Sequence, residues 1–196
     1  MKLFKSIINA IGNGRAERKI GVFQDFVRKG EKVLDIGAGG GWIGGKLREM
    51  TGAQVTLLDV ADFNRTDLPL VLYDGATIPF PDSSFDATLL LYVLHHCQDP
   101  LVVLKEAVRV SKGNIIILED TFTSRFDRAF VCLHDFTGNL PGILFRGPEE
   151  QINMPLHFKS VKAWEEMFRK LGCKVIAVRQ IQSFPIKQVL FVLEKC

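Results

Sequence analysis

The sequence predicts an α/β fold: a mostly parallel seven-stranded sheet with helices on both faces and an antiparallel strand at the C-terminal end. Three observations carry this expectation. Short runs of branched apolar residues, several closed by aspartate or glycine, alternate with segments whose apolar residues recur at helical spacing, the pattern of a parallel sheet covered on both sides. The first run opens directly into a cluster of glycines followed by a helical segment. The last two runs, Val175 to Val178 and Val189 to Leu193, read as a closing antiparallel pair.

The elements follow in order. Ile20, Phe23, Phe26 and Val27 recur at helical spacing from Arg15 to Val27, until the polar turn Lys29-Gly30-Glu31. Lys32 to Ile36 is the first strand, and Ile43, Leu47 and Met50 mark the helix beyond the glycines, the strand–glycine loop–helix opening of nucleotide-type folds. Apolar runs Val55 to Leu58, Leu70 to Tyr73 and Phe85 to Leu91 supply three more strands, the first two stopping at Asp59 and Asp74. Asp99-Pro100 supplies an N-cap acceptor and a pre-set φ, and Leu101, Leu104 and Val108 continue that helix to Lys112-Gly113, before a fifth strand from Asn114 to Leu118. Thr121 to Lys159 reads as loops and short helices rich in phenylalanine. Ser160 then caps a helix burying Trp164, Met167, Phe168 and Leu171 and ended by Gly172. In such a fold, ligands bind beyond the carboxyl ends of the strands.

With 196 residues and 47% hydrophobic content, one domain over residues 1–196 is expected, with N-terminal helices in residues 1–31 and an insertion or lid over residues 121–159. A net charge of +3 is far from the basic balance of a protein that grips a phosphate backbone, so nucleic acid is not an expected partner. Cys97, Cys132, Cys173 and Cys196 are widely separated and form neither a disulfide framework nor a CxxC motif, which fits a reducing, cytoplasmic setting. Leu3, Phe4, Ile7, Ile8 and Ile11 describe an amphipathic helix, read as packed on the domain, with weak peripheral membrane contact through residues 1–11 as the alternative. No transmembrane span is expected, and the oligomeric state stays open.

Asp35-Ile36-Gly37-Ala38-Gly39-Gly40-Gly41 sets an acid at a strand end and glycines where the backbone must turn tightly against a ligand. This Asp-x-Gly-x-Gly-x-Gly resembles the first motif of the class I S-adenosylmethionine-dependent methyltransferases, a Rossmann-like fold whose glycine loop passes beneath the methionine and ribose of the cofactor. Tyr73 to Asp86 closely resembles the Asp-x-x-x-(Leu/Ile)-Pro-Phe-x-Asp-x-Ser-Phe-Asp stretch of the small-molecule (type 11-like) subgroup. The resemblance covers about Lys32 to Glu119. It implies S-adenosyl-L-methionine as cofactor, with Asp35, Gly37, Ala38, Gly39, Gly41, Asp59, Val60, Asp74, Gly75, Ala76 and Leu91 as binding residues. Asp59 would take the ribose hydroxyls and Asp74 the adenine amino group, while Asp86 is structural. The short link from Ala61 to Pro69 leaves little room for the usual second helix beside the adenine, where Asp62 and Phe63 follow the ribose acid.

Gly39-x-Gly41-x-x-Gly44 also satisfies a dinucleotide fingerprint. Against that reading, the first glycine does not directly follow the strand, and a Tyr-x-x-x-Lys pair is lacking. His95 and His96 follow the fourth strand, at the rim where cofactor and acceptor meet. A methyl sulfonium is already activated, so a base is needed only for hydroxyl-like acceptors, and His95 is the expected catalytic residue. Packing is the competing role for both histidines. His134, Asp135 and His157 are further acceptor-side candidates. No metal is expected, because the histidines and Cys97 lack paired ligand spacing. The expected function is methyl transfer to a small, apolar acceptor beneath the insertion, whose Phe122, Phe126 and Phe130 would line a pocket or form the core of a lid helix. Methylation of RNA or protein, and a non-catalytic cofactor-binding module, are the alternatives.

Overall fold

The computed structural model describes residues 16–145, 155–182 and 186–195. The helix expected over residues 1–11, with its membrane-contact reading, lies outside them, as do residues 146–154 of the expected insertion.

Among the described residues, branched apolar residues build seven strands: β1 (Lys32–Ile36), β2 (Gln54–Asp59), β3 (Leu70–Leu72), β4 (Phe85–Leu91), β5 (Ser111–Thr121), β6 (Cys173–Gln182) and β7 (Lys187–Lys195). All join one sheet in the order β3-β2-β1-β4-β5-β7-β6. Pairs from β3 through β5 are parallel, whereas β7 runs antiparallel to both β5 and β6. Among the described residues, α1 (Trp42–Thr51), α2 (Pro100–Val110), α3 (Arg125–Phe145) and α4 (Val161–Lys170) accompany them.

Alternation along the strands sorts the core into two layers. On one face Leu34, Ile36, Leu90, Ile115, Ile117 and Phe191 meet Leu104 and Ala107 of α2 and Trp164 and Phe168 of α4. On the other, Val33, Leu57, Leu89 and Ile116 meet Leu47 of α1 together with Ile20, Phe23 and Val27. The expected caps form: Asp99 accepts the Leu101 N–H with Pro100 at the first helical position, and Ser160 accepts the Ala163 N–H.

Three local expectations are corrected. The helix expected to run to Val27 is helical over residues 16–20, turns at Gly21, and re-forms only as a 3₁₀ turn at Gln24–Phe26, although its apolar positions are buried as expected. Lys112-Gly113 does not end a helix. α2 stops at Val110, and the two residues form a bulge in β5, where Phe85 pairs with Ser111 but Ala87 with Asn114. A side chain at Gly113 would come within 2.7 Å of the Asp86 carbonyl oxygen, which is why glycine stands there. The segment expected as loops and short helices contains the 21-residue helix α3 despite Gly138, Pro141 and Gly142. Val131 packs against Phe158 and Ile186, and this docking outweighs local propensity.

Candidate active site

The carboxyl ends of β1 to β4 hold the residues expected of the site. After β1 the chain turns at Gly37, with φ +68°, and the Gly37 and Ala38 N–H groups both reach the Leu58 carbonyl at the end of β2. A Cβ at Gly37 would lie 2.5 Å from a Val93 methyl, so the loop is seated directly on the segment after β4. Asp59, at the end of β2, closes the loop from the other side: its Oδ2 accepts the Gly39 N–H and its Oδ1 the Val60 N–H, both at 2.7 Å. Gly41 follows as the left-handed N-cap of α1.

Asp35 lies behind the loop on β1 and is 3% exposed, with Oδ2 lacking a hydrogen-bond partner. Burial, with the Asp59 carboxylate nearby, pushes its pKa up to about 7, against a Gly44 backbone hydrogen bond that works the other way. Asp74 sits on the exposed loop after β3, its Oδ1 accepting the Ala76 and Thr77 N–H groups, which hold its carboxyl below the usual range. Gly75 approaches the exposed Val60, joining the ends of β2 and β3. Leu91 ends β4 and is buried with Trp42 and Ala38 beside it in the same apolar layer.

Between β2 and β3 the structure has no helix over residues 60–69, as the short link implied. Asn64 organises the turn instead, donating to the Leu68 carbonyl and accepting the Thr66 N–H and hydroxyl.

The stretch from Ile78 to Asp86 proves to be scaffolding. Arg109 of α2 donates to the Ile78 and Phe80 carbonyls and the Asp82 carboxylate while paired with Glu106, which accepts the Ile78 N–H. Asp86 takes the Lys32 N–H and pairs with Lys112, the structural role expected of it.

His95 is placed differently from the expected open rim. It belongs to a 3₁₀ turn, Leu94–His96, and is 1% exposed. Its Nδ1 meets Glu119 Oε2 at 2.5 Å, its ring stacks on Phe158 at 4.3 Å, and its Nε2 faces Asp135 Oδ1 across 3.6 Å. Glu119, fully buried at the end of β5, also accepts the Val93 and Leu94 N–H groups through Oε1. Burial works against a charged His95, but Glu119 and Asp135 outweigh it and raise its pKa to about 9. His96, half-buried beside it, is lowered to about 4 by burial and by the charge on His95. Of the other acceptor-side candidates, Asp135 joins this cluster, His157 donates its backbone N–H to the His95 carbonyl, and His134 is exposed.

Sequence reasoning missed Glu119 as a site residue, although an acid closing an apolar strand is the signal that found Asp59. It also missed Tyr92, whose φ of +61° is a conformation side chains seldom adopt and whose hydroxyl donates to Gln188. Phe126 and Phe130, read as lining a pocket or forming the core of a lid helix, are exposed, as are Leu133 and Phe136, and the first two border a surface cavity. A cavity of about 330 Å³ under the start of α3 is lined by Thr121, Phe126, Asp127, Phe130, Val131 and Lys187, none of them an expected cofactor residue.

The strand order, the glycine loop after β1 and the acid ending β2 define a Rossmann-like methyltransferase fold. Residues 34–118 match the family described as a methyltransferase domain, a match that supports a class I S-adenosylmethionine-dependent methyltransferase of the type 11 kind. It is 32% identical over 119 residues to the demethylmenaquinone methyltransferase of Paenarthrobacter aurescens, covering 56% of this chain and 47% of that protein. Against the demethylmenaquinone methyltransferase of Renibacterium salmoninarum it is 26% identical over 166 residues, 80% of this chain and 70% of the other. The chain thus spans about half to two thirds of the length of these curated relatives. A crystal structure of an S-adenosylmethionine-dependent methyltransferase from Aquifex aeolicus shares the fold, with a TM-score of 0.66 at 19% identity over 90% of this chain and 88% of that one. S-adenosyl-L-methionine is the cofactor of this class. Among the described residues no helix is long and apolar enough to cross a membrane.

Proposed function

We propose that this chain transfers the methyl group of S-adenosylmethionine to a small, apolar acceptor that carries an oxygen function. The observation that carries the reading is the loop-to-strand clasp: Asp59 holds the Gly39 and Val60 N–H groups, one on each carboxylate oxygen. Each oxygen has a second lone pair, so the same carboxylate can take the two ribose hydroxyls.

The residues suit the cofactor in a second respect. Asp35 is a buried carboxyl with an unpartnered oxygen beside the glycine loop, and a cationic ligand is the partner that would ionise it. S-adenosylmethionine, with its ammonium and sulfonium, brings such charge and supplies a methyl group already activated for transfer. Gly37, Ala38, Gly39 and Gly41 shape the loop beneath it, Val60, Gly75 and Ala76 form the adenine side with Asp74 at its edge, and Leu91 backs the site from β4. The protein's main task is then to align the acceptor with the methyl–sulfur bond and exclude water. His95, locked by Glu119 and Phe158, is the acceptor-side group, roofed by Asp135 of α3. The names of the curated relatives favour a lipophilic acceptor for this chain.

Calorimetry with S-adenosylmethionine, S-adenosylhomocysteine and NAD, followed by a panel of hydroxylated aromatic, reduced quinone, RNA and peptide acceptors, tests this. S-adenosylhomocysteine should form with an apolar hydroxylated acceptor. Product formed only with RNA or peptide, or a preference for NAD, would overturn the reading.

A further inference from the structure

We propose that His95, His96 and Asp135 are the protein ligands of a divalent transition-metal ion, with zinc the best fit, on the acceptor side of the site. No metal was expected from the sequence, because adjacent histidines and a distant aspartate lack paired ligand spacing. The docking of α3 brings the three together, and the ligand atoms all lie within 4.8 Å of one another.

The distances are the first argument. His95 Nε2 and His96 Nε2 approach the same Asp135 oxygen at 3.6 and 3.7 Å. Both are too long for good hydrogen bonds. They are close to the ~3.4 Å that separates ligand atoms around a tetrahedral zinc with bonds of about 2.0–2.1 Å. A closure of a few tenths of an ångström brings both histidine–aspartate separations to that value, and all the ligand atoms already lie within 4.8 Å of one another.

The second argument is the state of His95. Its Nε2 is buried with no hydrogen-bond partner, aimed into the gap between the three side chains. The other ring nitrogen is bound by Glu119, which is itself anchored by two backbone N–H groups. A carboxylate behind a histidine in this way holds the proton on Nδ1, so that a metal displacing the Nε2 proton finds that nitrogen already oriented as its donor. Phe158, stacked on the ring, fixes its plane.

Two imidazoles and one carboxylate are a donor set for zinc or a neighbouring first-row metal, unlike the all-oxygen sets of magnesium and calcium. Three protein ligands leave a fourth position for water or for an oxygen of the acceptor, whose acidity a bound cation would raise. This deepens, and rests on, the methyl-transfer reading, and it makes His95 a ligand in place of the base expected from the sequence.

The full chain, stripped with a chelator and dialysed, is titrated with zinc chloride by calorimetry and with cobalt(II) by visible absorption. S-adenosylhomocysteine affinity is measured on the same preparations. One zinc per chain and a tetrahedral cobalt spectrum are expected. His96→Gln and Asp135→Asn, at the less buried ligands, should each abolish the cobalt spectrum while leaving S-adenosylhomocysteine affinity unchanged. Glu119→Gln should weaken zinc binding by about 10–100-fold. Absence of zinc binding in a parent protein that binds S-adenosylhomocysteine, or unchanged zinc binding in the His96→Gln/Asp135→Asn double variant, would overturn the site. One zinc bound by a protein with no affinity for S-adenosylhomocysteine would support the metal site and defeat the methyl-transfer reading beneath it.

Discussion

Replacing Asp35 by asparagine should stabilise the cofactor-free protein at neutral and alkaline pH and do little at pH 4. The carboxyl is 3% exposed, one of its oxygens has no partner, and its pKa rises from 3.8 to about 7. The folded state therefore binds the Asp35 proton more tightly than the unfolded chain does. Stability from this group is complete below pH 4 and is lost as pH climbs to 7, the reverse of a salt-bridged carboxylate. At about 1.36 kcal/mol per pH unit, that interval corresponds to about 4 kcal/mol. Asparagine keeps the shape and cannot ionise, so the variant's advantage should grow from pH 4 to 7 and level off above pH 8. For a chain of this size it amounts to a melting temperature higher by about 10 °C. Urea denaturation of parent and variant at four pH values measures the difference directly. A difference that is the same at pH 4 and pH 8 would show that Asp35 is not a buried, proton-retaining carboxyl, and the electrostatic reading of the loop would fail.

Three further outcomes follow from the same geometry. Because the cationic cofactor should ionise Asp35, affinity for S-adenosylmethionine should rise with pH from 5.5 to 7, by up to about tenfold per unit, and this dependence should vanish in Asp35→Asn, as calorimetry at each pH would reveal. Asp59→Ala removes the acceptor of the Gly39 and Val60 N–H groups and of the ribose hydroxyls, and should weaken cofactor binding by about 1.5–3 kcal/mol; parent-like affinity would move the cofactor elsewhere. Arg109→Ala unties Ile78, Phe80, Asp82 and Glu106 together, and urea denaturation should register a loss of about 2–3 kcal/mol, whereas a change below about 0.5 kcal/mol would mean that the stretch holds itself.

The strands, their cover on both faces and the glycine loop were legible in the sequence because they rest on local regularities. The continuous apolar runs of β1 and β4, the Asp99 and Ser160 caps and the acid–glycine pattern at Asp35 to Gly41 are each written in a few adjacent residues. The Ile78 to Asp86 stretch was recognised but its purpose was not, since its partner Arg109 lies on a helix whose orientation local pattern does not specify. The same limit hid Glu119, a single acid at the end of an apolar strand that gained its meaning when the chain folded back to put Val93, Leu94 and His95 against it. α3 was misread because its glycines and proline weaken local helix propensity, and only docking on Phe158 and Ile186 restores it.

The sequence by itself determined the class of the protein and where its cofactor loop lies, because a strand–glycine–helix turn is built from consecutive residues. Tertiary structure alone decided that Asp35 is buried against Asp59, that His95 is locked between Glu119 and Phe158, and that Asp135 faces two histidines. Those properties depend on which distant segments exclude water from one another, and that is settled only when the sheet and α3 have packed.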